Sequence, residues 1–375
     1  MNHNHLNKRI TIRISYISRG VIVFPLSSYL RQRRDVAMKK YIVLFVGLML
    51  MIVLAACGEK SKEDVLGKLE NMSNELSAYQ TNALMKLHTG KEEQVFRIEV
   101  IHKKEDFYRV LLKNEQDEES SQIILRNEEG VFVLTPALNK SFKFQSEWPN
   151  NNSQPYLYHS LIQDIVNDKE STFSQTDNYY VFETKTNYEA NSNLPFQTIY
   201  FDKDSYAPVL VKILDKDKKE VVEVEYSNFK KDSDLPEDTF DMKQNMTSSI
   251  FGVPVMAQEQ LPKELTVFYP EETFGAELVE EDQMNTENGK RVLLSYDGER
   301  NFTIIQETLD VYPTSTSTPE LIQGEPVDLG FSVGAMTNSA LRWQANGINY
   351  YLASDELTKA EMIEVAVSMT NQAIK

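Results

Sequence analysis

Gly330-Phe331-Ser332-Val333-Gly334 has the spacing of a serine nucleophile elbow, in which a strand, a sharp turn and a helix present the hydroxyl to an ester. That chemistry requires a histidine base later in the chain, and the last histidine, His159, precedes the motif. The two glycines suit turn positions with positive φ instead. Beyond residue 57 the histidines are His88, His102 and His159, and no two share the helical spacing of a metal-ligand pair. Asp202-Lys203-Asp204 and Asp215-Lys216-Asp217 carry the alternating carboxylates of a calcium loop without its glycine or its distant bidentate Glu. Hairpin turns with solvated acids explain them better. No Gly-rich phosphate loop is present. The expectation is a protein with no catalytic residues, no metal and no cofactor, a hydrolase remaining a minor alternative. A single cysteine, Cys57, excludes an internal disulfide and a Cys-based zinc site. What remains for it is the chemistry of one thiol.

Its surroundings say which chemistry. Lys39-Lys40 precede an uncharged apolar run, Tyr41 to Val53, and small residues follow, the order of a secretory signal. The stretch is too short to span a bilayer untilted, which takes roughly 20 residues. Leu54-Ala55-Ala56-Cys57-Gly58 resembles the bacterial lipobox. That resemblance implies cleavage before Cys57, a diacylglyceryl group on its sulfur, and a cell-membrane anchor on the extracytoplasmic face. Met38-Lys39-Lys40 makes a complete signal start, so residues 38–56 are expected to be the signal peptide, 57–61 a lipidated tether, and 1–37 an extension upstream of the true start.

Charge divides at the same place. Residues 1–56 hold nine Lys or Arg against Asp35 alone, which leaves the rest of the chain 30 basic and 55 acidic side chains. Such a surface is repelled by nucleic-acid phosphates and anionic lipid head groups. Nucleic acid is therefore excluded as a partner, and membrane attachment must come from the N-terminus.

The positioning elements follow from periodicity. Ser61 and Asp64 form a capping pattern ahead of Val65, Leu66, Leu69, Met72 and Leu76, which predicts a helix over 62–77. The period then falls to two. Strands are expected around Phe96–Val100, Phe107–Leu112, Gln122–Arg126, Val131–Thr135 and Ser141–Phe144. Leu157, Leu161, Ile162, Ile165 and Val166 interrupt them as one helical face within Pro155–Asp168. Strands resume at Tyr179–Thr184, Gln197–Asp202, Pro208–Leu214 and Val221–Phe229. This order is α+β, a long antiparallel sheet with helices on one face. A linker is expected over 246–262, then a second unit, 263–375. It holds strands at Leu265–Tyr269, Arg291–Tyr296 and Phe302–Thr308, a hairpin about Asn346-Gly347, and a final helix capped by Thr358 and Glu361.

Over 62–245 this order resembles the LolA-like family of lipoprotein carriers and sensors. The resemblance rests on Asp106-Phe107-Tyr108-Arg109-Val110, Gly130 to Pro136, Ile199-Tyr200-Phe201-Asp202 and the tail Asp234 to Phe240. The whole chain is similar to sporulation-associated lipoproteins of spore-forming Gram-positive bacteria. The resemblance implies a half-open antiparallel β-barrel whose concave face, lidded by helices, accepts an acyl chain or a lipoprotein. Tyr156, Leu157, Leu161 and Ile165 are the candidate lid residues. The alternative is a sensor or scaffold that meets an envelope protein partner through an exposed apolar patch.

Overall fold

The computed structural model describes residues 59–88, 93–115, 121–150, 152–188, 194–246, 265–286, 289–308, 319–345 and 347–369. Helix α1, Lys62–Glu75, starts where expected, with Ser61 Oγ accepting from the Asp64 N–H at 3.1 Å. It buries Val65, Leu69 and Met72 and stops at Glu75 because Leu76 turns extended, φ −59° and ψ 121°.

A twelve-stranded sheet carries the first part of the chain. Eleven of its strands come in order of appearance, β1 Ala78–Leu87, β2 Gln94–Lys103, β3 Phe107–Asn114, β4 Gln122–Asn127, β5 Gly130–Thr135, β6 Lys140–Phe144, β7 Thr172–Gln175, β8 Tyr179–Lys185, β9 Phe196–Asp202, β10 Pro208–Leu214 and β11 Glu220–Lys231, and the twelfth comes from far later in the chain. β1 lies between β2 and β11 and so joins the two antiparallel runs, β2 to β6 and β7 to β11, into one open sheet. The architecture is α+β as expected, with the half-open barrel realised as one large open sheet. Tyr79, Thr81, Ala83, Met85 and Leu87 alternate inward along β1. On its other face Lys86 reaches across to Glu223 at 2.9 Å and Glu225 at 2.7 Å on β11.

Helix α2, Tyr158–Asn167, packs with α1 on the inward face. It begins three residues later than expected, because Pro155-Tyr156-Leu157 is taken up in a turn closed by Leu157 N–H to the Gln154 carbonyl. Among the described residues, a second apolar cluster covers the back face near β3 to β5. There Ile123, Leu125, Phe132 and Leu134 meet Phe240 from the tail and a single-turn helix, α3, Met242–Asn245. Arg109 pins that tail by donating to Asn245 Oδ1 at 2.7 Å and to Glu99 at 2.9 Å.

A smaller antiparallel sheet follows. It comprises β12 Ala276–Thr286, β13 Gly289–Gly298, β14 Phe302–Thr308, β16 Glu325–Asp328, β17 Val333–Met336, β18 Ala340–Ala345 and β19 Ile348–Ala353. Helix α4, Lys359–Met369, has the reciprocal capping box: Thr358 N–H to Glu361 at 2.7 Å and Glu361 N–H to Thr358 Oγ1 at 3.2 Å. Its Met362, Ile363, Val365, Ala366 and Met369 join Val292, Leu294, Ile304, Leu341 and Leu352 of the small sheet. All share one continuous core with the inward face of the large sheet.

Leu265–Tyr269 corrects an expectation. This stretch is in neither sheet. The fully buried Gln306 side chain bonds both the Phe268 N–H (2.8 Å) and its carbonyl (2.6 Å), so an amide side chain substitutes for a partner strand.

Two features stitch the sheets together. β15, Glu320–Ile322, lies in the stretch expected for the second unit yet pairs in parallel with β6 of the large sheet. Three residues later β16 is in the small sheet. Between them Gly324 passes so close to β17 that a Cβ there would sit 2.1 Å from the Met336 carbonyl oxygen. The buried Gln122 of β4 accepts from the Val333 N–H at 2.7 Å and donates to its carbonyl at 3.3 Å. Among the described residues no helix is long and apolar enough to cross a membrane.

Candidate functional site

The stitching leaves a half-enclosed cavity of about 330 Å³ between the inward face of the large sheet and the small sheet's β16 and α4. Met85 and Leu87 of β1, Ile213 of β10 and Val222 of β11 form its floor. These are the inward positions of the strand alternation at one end of the sheet. Opposite stand Val327 of β16 and, one helical turn apart on α4, Ile363 and Val367. Its size is at the lower end of ligand pockets, ~300–1,000 Å³, and its mostly apolar walls are of the usual kind.

One wall is the segment Asn152–Pro155, which has no secondary structure of its own and is held by side chains. Ser153 Oγ donates to Asp164 of α2 at 2.8 Å and accepts from the Asn187 N–H at 2.6 Å. Gln197 Nε2 bonds the same Asp164 oxygen at 2.7 Å. The Gln154 N–H bonds Ser160, the Tyr156 hydroxyl bonds Gln154 Oε1, and the Tyr226 hydroxyl donates to the Pro155 carbonyl. Burial pushes the Asp164 carboxyl up to about 6, against the pull of its Gln197 and Ser153 bonds.

The far wall is Asp328-Leu329-Gly330. Asp328 Oδ1 accepts from the Gly330 N–H at 2.7 Å, an Asx-type turn. Gly330 has φ +83°, and a Cβ there would lie 2.7 Å from Leu87 Cδ2, so glycine is required on both counts. Desolvation raises the Asp328 carboxyl above its ordinary range, and the Gly330 N–H opposes this.

This geometry disposes of the nucleophile elbow. Ser332 is buried with its Oγ toward Gln122, and the chain runs from it into strand β17, where the elbow needs a helix. Gly334 is in that strand without positive φ, contrary to expectation. Its need for glycine is steric: a Cβ would lie 2.9 Å from the Arg342 carbonyl. Asp202 and Asp215 cap their own hairpin turns, accepting from the Ser205 N–H and from the Asp217 and Lys219 N–H groups. No group of three or more potential metal ligands occurs among the described residues.

The four lid candidates lie elsewhere than at an opening. Tyr156, Leu157, Leu161 and Ile165 are fully buried in the shared core, and none lines the cavity. Cys57 and Leu54-Ala55-Ala56 lie outside the described residues, as does the expected linker except for Met246. Sequence reasoning missed the far wall, although it held a usable signal: an Asp two residues before a glycine, Asp328-Leu329-Gly330, is turn chemistry. It was hidden inside a stretch read for its serine.

Comparison with known proteins gives the relationship. Residues 38–240 match the family described as sporulation protein YdcC-like. The sporulation protein YdcC of Bacillus subtilis (strain 168) is 43% identical over 343 residues, covering 90% of this chain and 98% of that one. Among solved structures, MucB is 13% identical with a TM-score of 0.33, covering 83% of this chain and 98% of its own. A putative outer membrane lipoprotein-sorting protein domain from Vibrio parahaemolyticus is 14% identical with a TM-score of 0.32, covering 49% of this chain and 97% of its own. The sequence match over nearly the whole length of both chains decides the matter: this chain belongs to the YdcC-like sporulation protein family.

Proposed function

We propose that this chain is a non-enzymatic, lipid-anchored extracytoplasmic lipoprotein of sporulation that holds an acyl chain, free or on a lipoprotein, in the cavity between its two sheets. The observation that carries the reading is that cavity: an apolar floor and roof from β1, β10, β11, β16 and α4, with side walls held rigid by buried hydrogen bonds. Burying an aliphatic chain there gains about 0.8 kcal/mol per methylene, so ten methylenes supply about 8 kcal/mol, from which the cost of ordering the ligand is subtracted. The lipobox-like Leu54-Ala55-Ala56-Cys57 supports the anchor, and membership of a sporulation protein family supports the setting.

The test is photolabelling. The full chain in lipid vesicles is exposed to a diacylglycerol analogue carrying a diazirine in its acyl chain, and labelled peptides are mapped. Label should concentrate on β1, β11 and α4 and fall at least tenfold in Val327→Trp, whose indole fills the space from a half-buried wall position. Uniform surface labelling that Val327→Trp leaves unchanged defeats the reading.

One observation favours the protein-interaction reading as an alternative. The edge strand β12 has Val279 63% and Leu278 40% exposed, the apolar edge a partner strand would cover.

A further inference from the structure

Among the described residues, the side chains lining the cavity include three carboxylates, Glu272, Asp328 and Glu364, and no lysine, arginine or histidine. Two of the three are anchored by the backbone. Asp328 Oδ1 is fixed by the Gly330 N–H at 2.7 Å, and Glu272 Oε1 by the Phe274 N–H at 2.9 Å. These bonds aim Asp328 from a half-buried position and Glu272 from an exposed one. The chain after residue 56 carries 55 acidic against 30 basic side chains, so the surroundings add to this field instead of relieving it.

An anionic head group entering such a site must leave water, finds no cation to pair with, and faces fixed charges of its own sign. The other polar side chains among the described lining residues are uncharged: Asn152, Ser153, Gln154, Tyr188 and Ser368. An uncharged hydroxyl or ester head meets no such penalty and can hydrogen-bond to the carboxylates. An ammonium head gains an attraction. We propose that the cavity selects its aliphatic ligand by charge, taking chains with uncharged or cationic heads and rejecting those with anionic heads, and that Asp328 is the main selecting group.

A diacylglyceryl-cysteine with a free α-amino group, the product expected when a lipoprotein signal is cut, is of the accepted kind. A free fatty acid is of the rejected kind.

The inference rests on the acyl-binding reading, and its test separates the two. The full chain in nanodiscs carrying a bound diazirine lipid probe is competed with three ligands of one chain length: monoolein, oleylamine and oleate. The expected result is displacement by monoolein and oleylamine, with oleate at least tenfold weaker. In Asp328→Asn the gap for oleate should narrow severalfold, because displacement by monoolein, whose head carries no charge, changes less than displacement by oleate. Asparagine keeps an oxygen for the Gly330 N–H, so the turn is preserved. Oleate competing as well as monoolein in the unsubstituted chain overturns the charge selection and leaves acyl binding intact. Failure of all three to displace the probe overturns both. An unchanged gap in Asp328→Asn overturns the assignment to Asp328.

Discussion

Asp164 is where stability and the cavity wall depend on the same atom. One of its carboxylate oxygens accepts from Ser153 Oγ and from Gln197 Nε2, tying α2 to the segment Ser153–Pro155 and to β9. The residue is 5% exposed, and desolvation raises its carboxyl from an ordinary 3.8 to about 6. Since the folded-state value lies above the unfolded one, the folded chain binds more protons between the two. Stability is then full below about pH 4 and declines as pH rises through about 6. A difference of roughly two pH units corresponds to about 3 kcal/mol. Asp164→Asn keeps an oxygen to accept both bonds and cannot ionise, so it removes this decline. The assay is urea unfolding of both proteins at intervals from pH 4 to 7.5. Subtracting the two curves cancels the other carboxylates, including Glu223, Asp202 and Asp232, whose depressed values act in the opposite direction. The variant should gain about 2–3 kcal/mol on the original chain between pH 4 and 7. A constant difference across that range would refute the reasoning, because it would mean that Asp164 does not titrate differently on folding.

Further outcomes follow from named contacts. Gly324→Ala should destabilise by at least about 2 kcal/mol in thermal unfolding, since its Cβ would fall on the Met336 carbonyl and backbone must move. Gln122→Leu should cost about 1–3 kcal/mol by leaving the Val333 N–H and carbonyl without their partner, measured by denaturant unfolding. Leu161→Glu should unfold the chain instead of selectively blocking ligand entry, because Leu161 lies fully buried in the core; circular dichroism decides. Cys57→Ser should abolish incorporation of radiolabelled fatty acid and leave the precursor uncut. A gene starting at Met38 should yield protein exported and lipidated as well as the full chain, by the same assay.

The strands whose alternation is carried by aromatic and β-branched residues were legible in the sequence. β2 to β6 and β8 to β11 are at the expected places, because Phe96, Ile98 and Val100, or Val222 and Val224, are apolar at period two and cannot form a helical stripe. Capping chemistry located the starts of α1 and α4, since an N-cap bond is made within four residues and needs no tertiary context. β1 was not legible. Ala78 to Leu87 places Gln, Asn and Lys among Ala, Leu and Met, good helix formers, and only pairing with β2 and β11 makes it a strand. β12 is exposed along nearly its whole length and acidic, so it has no buried face to create a pattern. Leu265–Tyr269 has the strand pattern without the strand, since its partner is the side chain of Gln306.

The cavity belongs wholly to the second group. Its walls come from residues as far apart as Met85 and Val367, and its charge character comes from which side chains converge there. Periodicity reports which face of an element is buried but not what lies opposite, so it could not separate a lid from core packing for the helix at 158–167, whose Leu161 and Ile165 lie buried in the core. Local physics, acting over four residues, wrote the elements into the sequence. The site depends on the gap left where two sheets are stitched by Gly324, β15 and Gln122, and only the tertiary structure decides where that gap falls.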